Sequence, residues 1–146
     1  MSVTTTTAAR TATTSAAPTP TPTLGALLRD GAAAAVLAAG ATAAVAAAGQ
    51  AAGISTALAG APVPTSGFAT LTVMFSVVGL FIALGLRRFA RRPRTTWIRT
   101  TVALTVLSLV PDLLVDADTS TKALLMLTHV VAAAIVVPAV ARRLRA

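Results

Sequence analysis

Cysteine, tyrosine, glutamate and asparagine are all missing from this chain of 146 residues. Without cysteine there is no disulfide framework, no thiolate nucleophile and no thiolate metal site. A protein metal site asks for three or four convergent ligands, and one histidine with two or three aspartates near one end of the apolar runs makes that marginal, so no metal is expected. No glycine-rich phosphate loop and no dinucleotide fingerprint occurs, and no cofactor is expected. Charged residues are scarce at 11%, against roughly 25% in a soluble domain, which leaves too little charge to coat a water-facing surface. Aromatics are scarcer still at 3%, so the net charge of +8 lacks the stacking groups that accompany a nucleic-acid surface. No nucleic-acid partner is expected.

What the chain does have is apolar residues, 55% of the total, gathered in long runs. Such runs read as transmembrane helices. Residues 1–23 stand apart: Thr, Ala, Ser and Pro, with Pro18, Pro20 and Pro22 alternating, favour a disordered, extended tail and build no core. Residues 24–146 read as a four-helix transmembrane domain with spans over about 31–50, 68–86, 99–115 and 123–141. The first span is mostly Ala and Gly and only weakly hydrophobic; a cleaved signal peptide is its rival reading. Gly40, Ala44 and Ala48 offer a ridge of small residues on which a neighbour can lie, and Gly79 and Ala83 offer a second such pair. Pro93 separates the second span from the third, and Trp97 suits an anchor at the membrane interface.

Basic residues decide the orientation. Arg10 and Arg29 precede the first span. Arg87, Arg88, Arg91, Arg92, Arg94 and Arg99 fall between the second and third, and Arg142, Arg143 and Arg145 follow the fourth. The remaining loops hold only Lys122. An all-α, up-down bundle of four transmembrane helices with cytoplasmic N- and C-termini puts every arginine on the cytoplasmic side, as the positive-inside rule asks. The nine arginines from Arg87 to Arg145 are then read as facing anionic lipid headgroups there. The runs lack the period-two alternation of barrel strands, which leaves helices.

The polar residues of the last two spans form a pattern. Thr101, Thr105, Ser108, Asp112 and Asp116 recur every three or four residues and share one helix face, which should look into the bundle. Pro111 beside them removes a backbone donor and frees the Leu107 carbonyl; Pro138 is a second helix-shaping proline, in the fourth span. Thr128 and His129 lie about two turns from the outer end of the fourth span and Asp112 about one turn from it, roughly 6–10 Å inside at 1.5 Å per residue. The short loop makes the two helices antiparallel neighbours, so an Asp112–His129 contact is within reach and makes each charged form less costly. Ionisable groups at membrane depth are expensive and raise a functional question.

Three roles compete for Thr105, Ser108, Asp112, Asp116, Thr128 and His129. They lock helices together, with hydroxyls bonding back to their own backbone. Alternatively they carry a proton, ion or polar ligand. Weakest is hydrolysis, for which Ser108, Asp112 and His129 supply the residue types of a triad but no nucleophile-elbow pattern surrounds Ser108.

The segment SLVPDLL, followed by KALLMLTHVVAAAIVVPAVARRL, resembles a family of small actinobacterial four-span membrane proteins carried as a domain of unknown function. The resemblance is fullest over residues 108–144, and the Thr/Pro-rich tail stands outside it. It implies a bacterial multi-pass membrane protein of unassigned activity and brings no substrate and no catalytic residue. The expectation is a non-enzymatic protein of the bacterial plasma membrane, structural or binding a membrane-protein partner or a second copy of itself. The alternative is a small proton-coupled or polar-ligand transporter or sensor built on Asp112 and His129.

Overall fold

The computed structural model describes residues 23–58 and 60–145, so the tail expected over residues 1–23 lies outside the described residues except for Thr23. Thr23 is the N-cap of the first helix, its Oγ1 accepting from the Ala26 amide at 3.2 Å and satisfying one of the amides a helix start leaves open. Four helices follow: α1 (Leu24–Ala51), α2 (Thr65–Phe89), α3 (Pro93–Leu114) and α4 (Thr119–Ala141). A two-residue hairpin, β1 (Ala57–Leu58) with β2 (Ala61–Pro62), joins α1 to α2. All four helices are long and apolar enough to cross a membrane. Each begins earlier than the apolar pattern suggests, most of all α1 at Leu24 and α3 at Pro93. Proline at the first helical position has its dihedral already set and lacks an amide that would go unbonded there.

The bundle is built around α1. It packs on α2 and on α4, and α4 packs on α3, while α2 and α3 meet over a smaller contact. The buried face of α1 is Leu27, Gly31, Ala34, Ala35, Ala38, Ala39, Thr42, Ala46 and Gly49, a helical stripe made almost wholly of small residues. Small side chains let backbones approach closely. A Cβ on Gly31 would lie 2.8 Å from Leu80 Cδ1, and one on Gly49 would lie 2.7 Å from Leu124 Cδ2. The ridge expected at Gly40, Ala44 and Ala48 points the other way, all three being exposed. In so Ala-rich a helix every face offers small residues, and only the two glycines in tight contact reveal which face is used.

Two apolar clusters close the ends. At the arginine-bearing end Leu27, Ala83, Trp97, Val140, Ala141 and Leu144 come together. Trp97 is 1% exposed, and its indole N–H donates to the Val137 carbonyl at 3.1 Å. It is therefore an internal bracket between α3 and α4, not the interfacial anchor expected of it. Leu144 reaches this cluster because the chain turns after α4, and the Arg145 carbonyl accepts from the Arg94 amide at 3.1 Å at the start of α3. At the opposite end Ala46, Phe68 and Leu125 pack with Val63 and Val115. The hairpin seals this end. Gly60 at φ 81° supplies the left-handed backbone of its turn. Buried Thr56 exchanges bonds with Val63 across the hairpin base and accepts from Gln50 Nε2 at 2.9 Å. Thr121 Oγ1 donates to the Ser55 carbonyl at 2.7 Å, tying the start of α4 to the same loop.

Outside these contacts the helices present apolar side chains all round: Phe75 and Phe81 on α2, Val106 and Leu107 on α3, and Val36 and Leu37 on α1 are each at least 60% exposed. A water-soluble monomer does not carry an apolar surface of that extent. The packing at α1 yields a direct test. Gly49→Val should destabilise the detergent-solubilised protein by about 1–3 kcal/mol through overpacking against buried Leu124, whereas Gly40→Val should leave its thermal unfolding nearly unchanged.

Candidate functional site

The polar site lies between α3 and α4. Asp112 sits near the end of α3, and His129 stands well inside α4. Their contact requires the start of α4 to overhang the end of α3 by about two turns, roughly 12 Å. The four residues of the loop, Val115–Asp118, reach about 13 Å when extended, and Val115 (ψ 144°) and Asp118 (ψ 153°) are extended. In the gap the Lys122 ammonium donates to the Leu113 carbonyl at 3.0 Å, one of the acceptors left open at the end of α3. This offset sets the depth. His129 lies about 15 Å along α4 from its first residue, whereas Asp112 lies about 3 Å from the last residue of α3.

His129 Nδ1 is 2.9 Å from Asp112 Oδ2 and 3.1 Å from the Leu125 carbonyl of its own helix. Two acceptors around one ring nitrogen mean that Nδ1 carries the proton, since a lone pair there would face two oxygens. One N–H cannot be aimed at both. It is directed at the carbonyl, and the approach to Oδ2 has the distance of a hydrogen bond without its direction. Oδ2 itself is enclosed by protein and has no directed donor among the described residues. The Asp112 side chain is 11% exposed and the His129 side chain 38%. A lone carboxylate at that depth costs several kcal/mol.

The rest of the expected stripe does not join them. Ser108 Oγ donates to the Thr105 carbonyl at 2.7 Å, and Thr101 Oγ1 to the Trp97 carbonyl at 2.8 Å, so these hydroxyls serve their own helix. Buried Thr128 does the same, donating to the Leu125 carbonyl at 2.7 Å. Asp116 is exposed in the loop, because α3 ends at Leu114 and helical spacing no longer holds there. Pro111 and Pro138 both lie inside helices. Among the described residues no three of His, Cys, Asp or Glu gather as metal ligands would.

A family model matches residues 22–146. The chain belongs to the family of unknown function DUF6069. No match was found among curated proteins or among solved structures. The DUF6069 match starts where the Thr/Pro-rich tail ends and takes in all four helices.

Two polar contacts escaped the reading of the sequence. Thr42 of α1 and Thr72 of α2 meet at 2.9 Å between their hydroxyls. Each hydroxyl also reaches a carbonyl of its own helix, Thr72 that of Phe68 at 2.8 Å and Thr42 that of Ala39 at 3.1 Å, so either can donate between the helices. Since Ala46 and Leu125 share a cluster in antiparallel helices, Thr42, one turn from Ala46, stands level with Thr128 and His129, one turn from Leu125. A polar belt of one or two residues from each helix thus crosses the bundle. A threonine among alanines carries no sequence signal of its partner.

The second contact is an ion pair, Arg143 to Asp30, with Nε at 2.7 Å and Nη2 at 2.6 Å from Oδ2. An acidic residue near the start of one apolar run and arginines at the end of another were its only sequence signal. Of the nine arginines expected to face headgroups, seven are exposed; Arg143 is half-buried on Asp30, and Arg87 has one guanidinium nitrogen enclosed without a partner among the described residues.

The geometry sets the tautomer. Free imidazole in water favours a proton on Nε2, but here neutral His129 should hold it on Nδ1. The chain has one histidine, so nitrogen-15 spectra of ring-labelled protein in bilayers report on it alone. Asp112→Asn should shift the signal further toward a plain carbonyl-bonded Nδ1–H, and a dominant Nε2–H form in the unsubstituted protein would contradict the arrangement.

Proposed function

We propose that the chain is a non-enzymatic multi-pass protein of the bacterial plasma membrane, of the actinobacterial four-span kind, with both termini cytoplasmic. In this reading Asp112 and His129 lock α3 against α4 and hold a surface for a membrane-protein partner or a second copy. The observation that carries it is the 2.9 Å contact between the ionisable groups of the two apolar helices. The orientation draws support from the arginines, since α1, α2, α3 and α4 all bring theirs to one end of the bundle, while Asp116, Asp118 and Lys122 lie toward the other. The non-enzymatic reading draws support from Ser108, whose hydroxyl proton is directed at the Thr105 carbonyl and not at His129.

The lock is tested by a double-mutant cycle. Asp112→Asn and His129→Gln should each lower stability in the membrane or in detergent, with a coupling of about 1–2 kcal/mol. Proteoliposomes under an imposed pH gradient should show the same proton leak with and without the substitutions. A second reading, proton or polar-ligand passage, is favoured by the enclosed Oδ2 that no donor is aimed at and by the partly exposed ring beside it. A pH-driven flux lost in Asp112→Asn would replace the first reading with this one.

Absence of cysteine makes accessibility easy to read. In native membranes Ala123→Cys should react with an impermeant maleimide from the non-cytoplasmic side, while Ser108→Cys and Leu109→Cys stay inert. Reaction at 108 but not at 109 would reveal a water-lined path along the polar face. Reaction of Ala123→Cys only from the cytoplasmic side would invert the topology.

A further inference from the structure

The arginine-bearing ends of α1 and α4 enclose a groove of about 380 Å³ that the Asp112–His129 site does not use. One half is apolar and shallow: Ala33 and Leu37 from α1 and Ala139 from α4. The other half is ionic: Asp30, Arg142 and Arg143. Small residues at 33 and 139 create the depression, and Leu37 along it is 66% exposed. The ionic half is partly built. Asp30 takes the Nε and Nη2 of Arg143 on one oxygen, and Arg29 Nε stands 3.4 Å from the other. Arg143 is therefore held in place, not free to swing. Arg142 Nε donates to the Pro138 carbonyl at 3.2 Å, which folds that guanidinium toward the groove and leaves its two terminal nitrogens uncommitted among the described residues.

The charges do not cancel. Arg29, Arg142 and Arg143 face one carboxylate, and the other three acidic residues of the chain, Asp112, Asp116 and Asp118, are on α3 or the loop toward the opposite end. A remaining positive charge beside an exposed apolar trough calls for an occupant that is anionic at one end and hydrocarbon at the other. A soluble phosphate would leave Leu37 uncovered, and a plain acyl chain would leave Arg142 unpaired.

We propose that this groove seats one anionic glycerophospholipid of the surrounding leaflet. Its phosphate is held by Arg142 and the outer edge of Arg143, and one acyl chain lies over Ala33, Leu37 and Ala139. Asp30 repels the phosphate and serves to orient Arg143. The inference rests on the reading that the chain spans a bilayer, and goes beyond it by naming a lipid class and a seat.

Full-length protein extracted in mild detergent is titrated with phosphatidylglycerol or with phosphatidylcholine, and bound lipid is counted by native mass spectrometry. One phosphatidylglycerol should be retained in preference to phosphatidylcholine. Arg142→Gln should weaken retention about five- to tenfold, the loss of one near-surface arginine contact. Ala139→Phe, which fills the apolar half without changing charge, should weaken it at least as much. Arg99→Gln, an exposed arginine of α3 outside the groove, should leave it unchanged. Equal retention of both lipids, or equal weakening by Arg99→Gln and Arg142→Gln, overturns the seat in favour of diffuse attraction. Indifference to Ala139→Phe overturns it too, as does a dimer that Ala139→Phe dissociates with no lipid lost. A protein that stays in the aqueous phase without detergent would instead overturn the membrane reading, a separate result from failure of the lipid seat.

Discussion

Everything in this bundle depends on how closely α2 and α4 can lie against α1. In lipid the hydrophobic effect does not drive helix against helix, so association draws on packing and on hydrogen bonds. A helix of alanine and glycine has little apolar bulk to offer, and its contribution is proximity. Gly31 admits Leu80 and Gly49 admits Leu124 so closely that a Cβ at either position would displace the leucine methyls. Those two insertions fix the height of α2 and of α4 on α1. Once the heights are fixed, Thr42 meets Thr72, Asp30 meets Arg143, and Thr121 meets the loop at Ser55. The polar contacts therefore follow from the small-residue face and confirm its register; they are too few and too scattered to have set it.

The position of α3 follows a different logic. It touches α1 hardly at all and is held by α4, by a smaller contact with α2, and by Trp97. Trp97 donating to the Val137 carbonyl and the Arg94 amide donating to the Arg145 carbonyl hold its first turns at the arginine end. That placement draws the whole helix toward that end and leaves α4 overhanging at the other. The consequence is chemical. An aspartate one turn from the end of its own helix becomes, through the offset, a partner for a histidine near the middle of the next.

The helices and their number were legible because apolar runs of this length allow little else. The partnership of Asp112 with His129 was legible too, since a short loop between antiparallel helices leaves few partners for two ionisable groups. The start of α3 was not, because it lies within an arginine-rich segment that reads as loop, and Pro93 at its first position is the mark of a helix start there. The buried face of α1 was illegible for a physical reason: where nearly every side chain is a methyl group or hydrogen, amphipathicity vanishes and only the neighbours define a face. Trp97 misled because an indole suits a lipid interface and a helix interface equally, provided its N–H finds an acceptor, and only tertiary packing decides between them. The contacts of Thr42 and Asp30 required the register of α1 against two other helices, which no local pattern encodes.

The geometry at His129 bears on what kind of lock the pair forms. A purely structural bridge between helices gains most when the donor is aimed squarely at the acceptor across the seam. Here the N–H is directed at Leu125 on the same helix and not at Asp112. The histidine therefore keeps a partner whether or not α3 is in place. Asp112 does not: with no donor aimed at its enclosed oxygen, it depends on the proximity of the ring. Separation of α3 from α4 would thus cost the aspartate and hardly the histidine, so the contact is asymmetric: it binds α3 through Asp112 more than it binds α4 through His129.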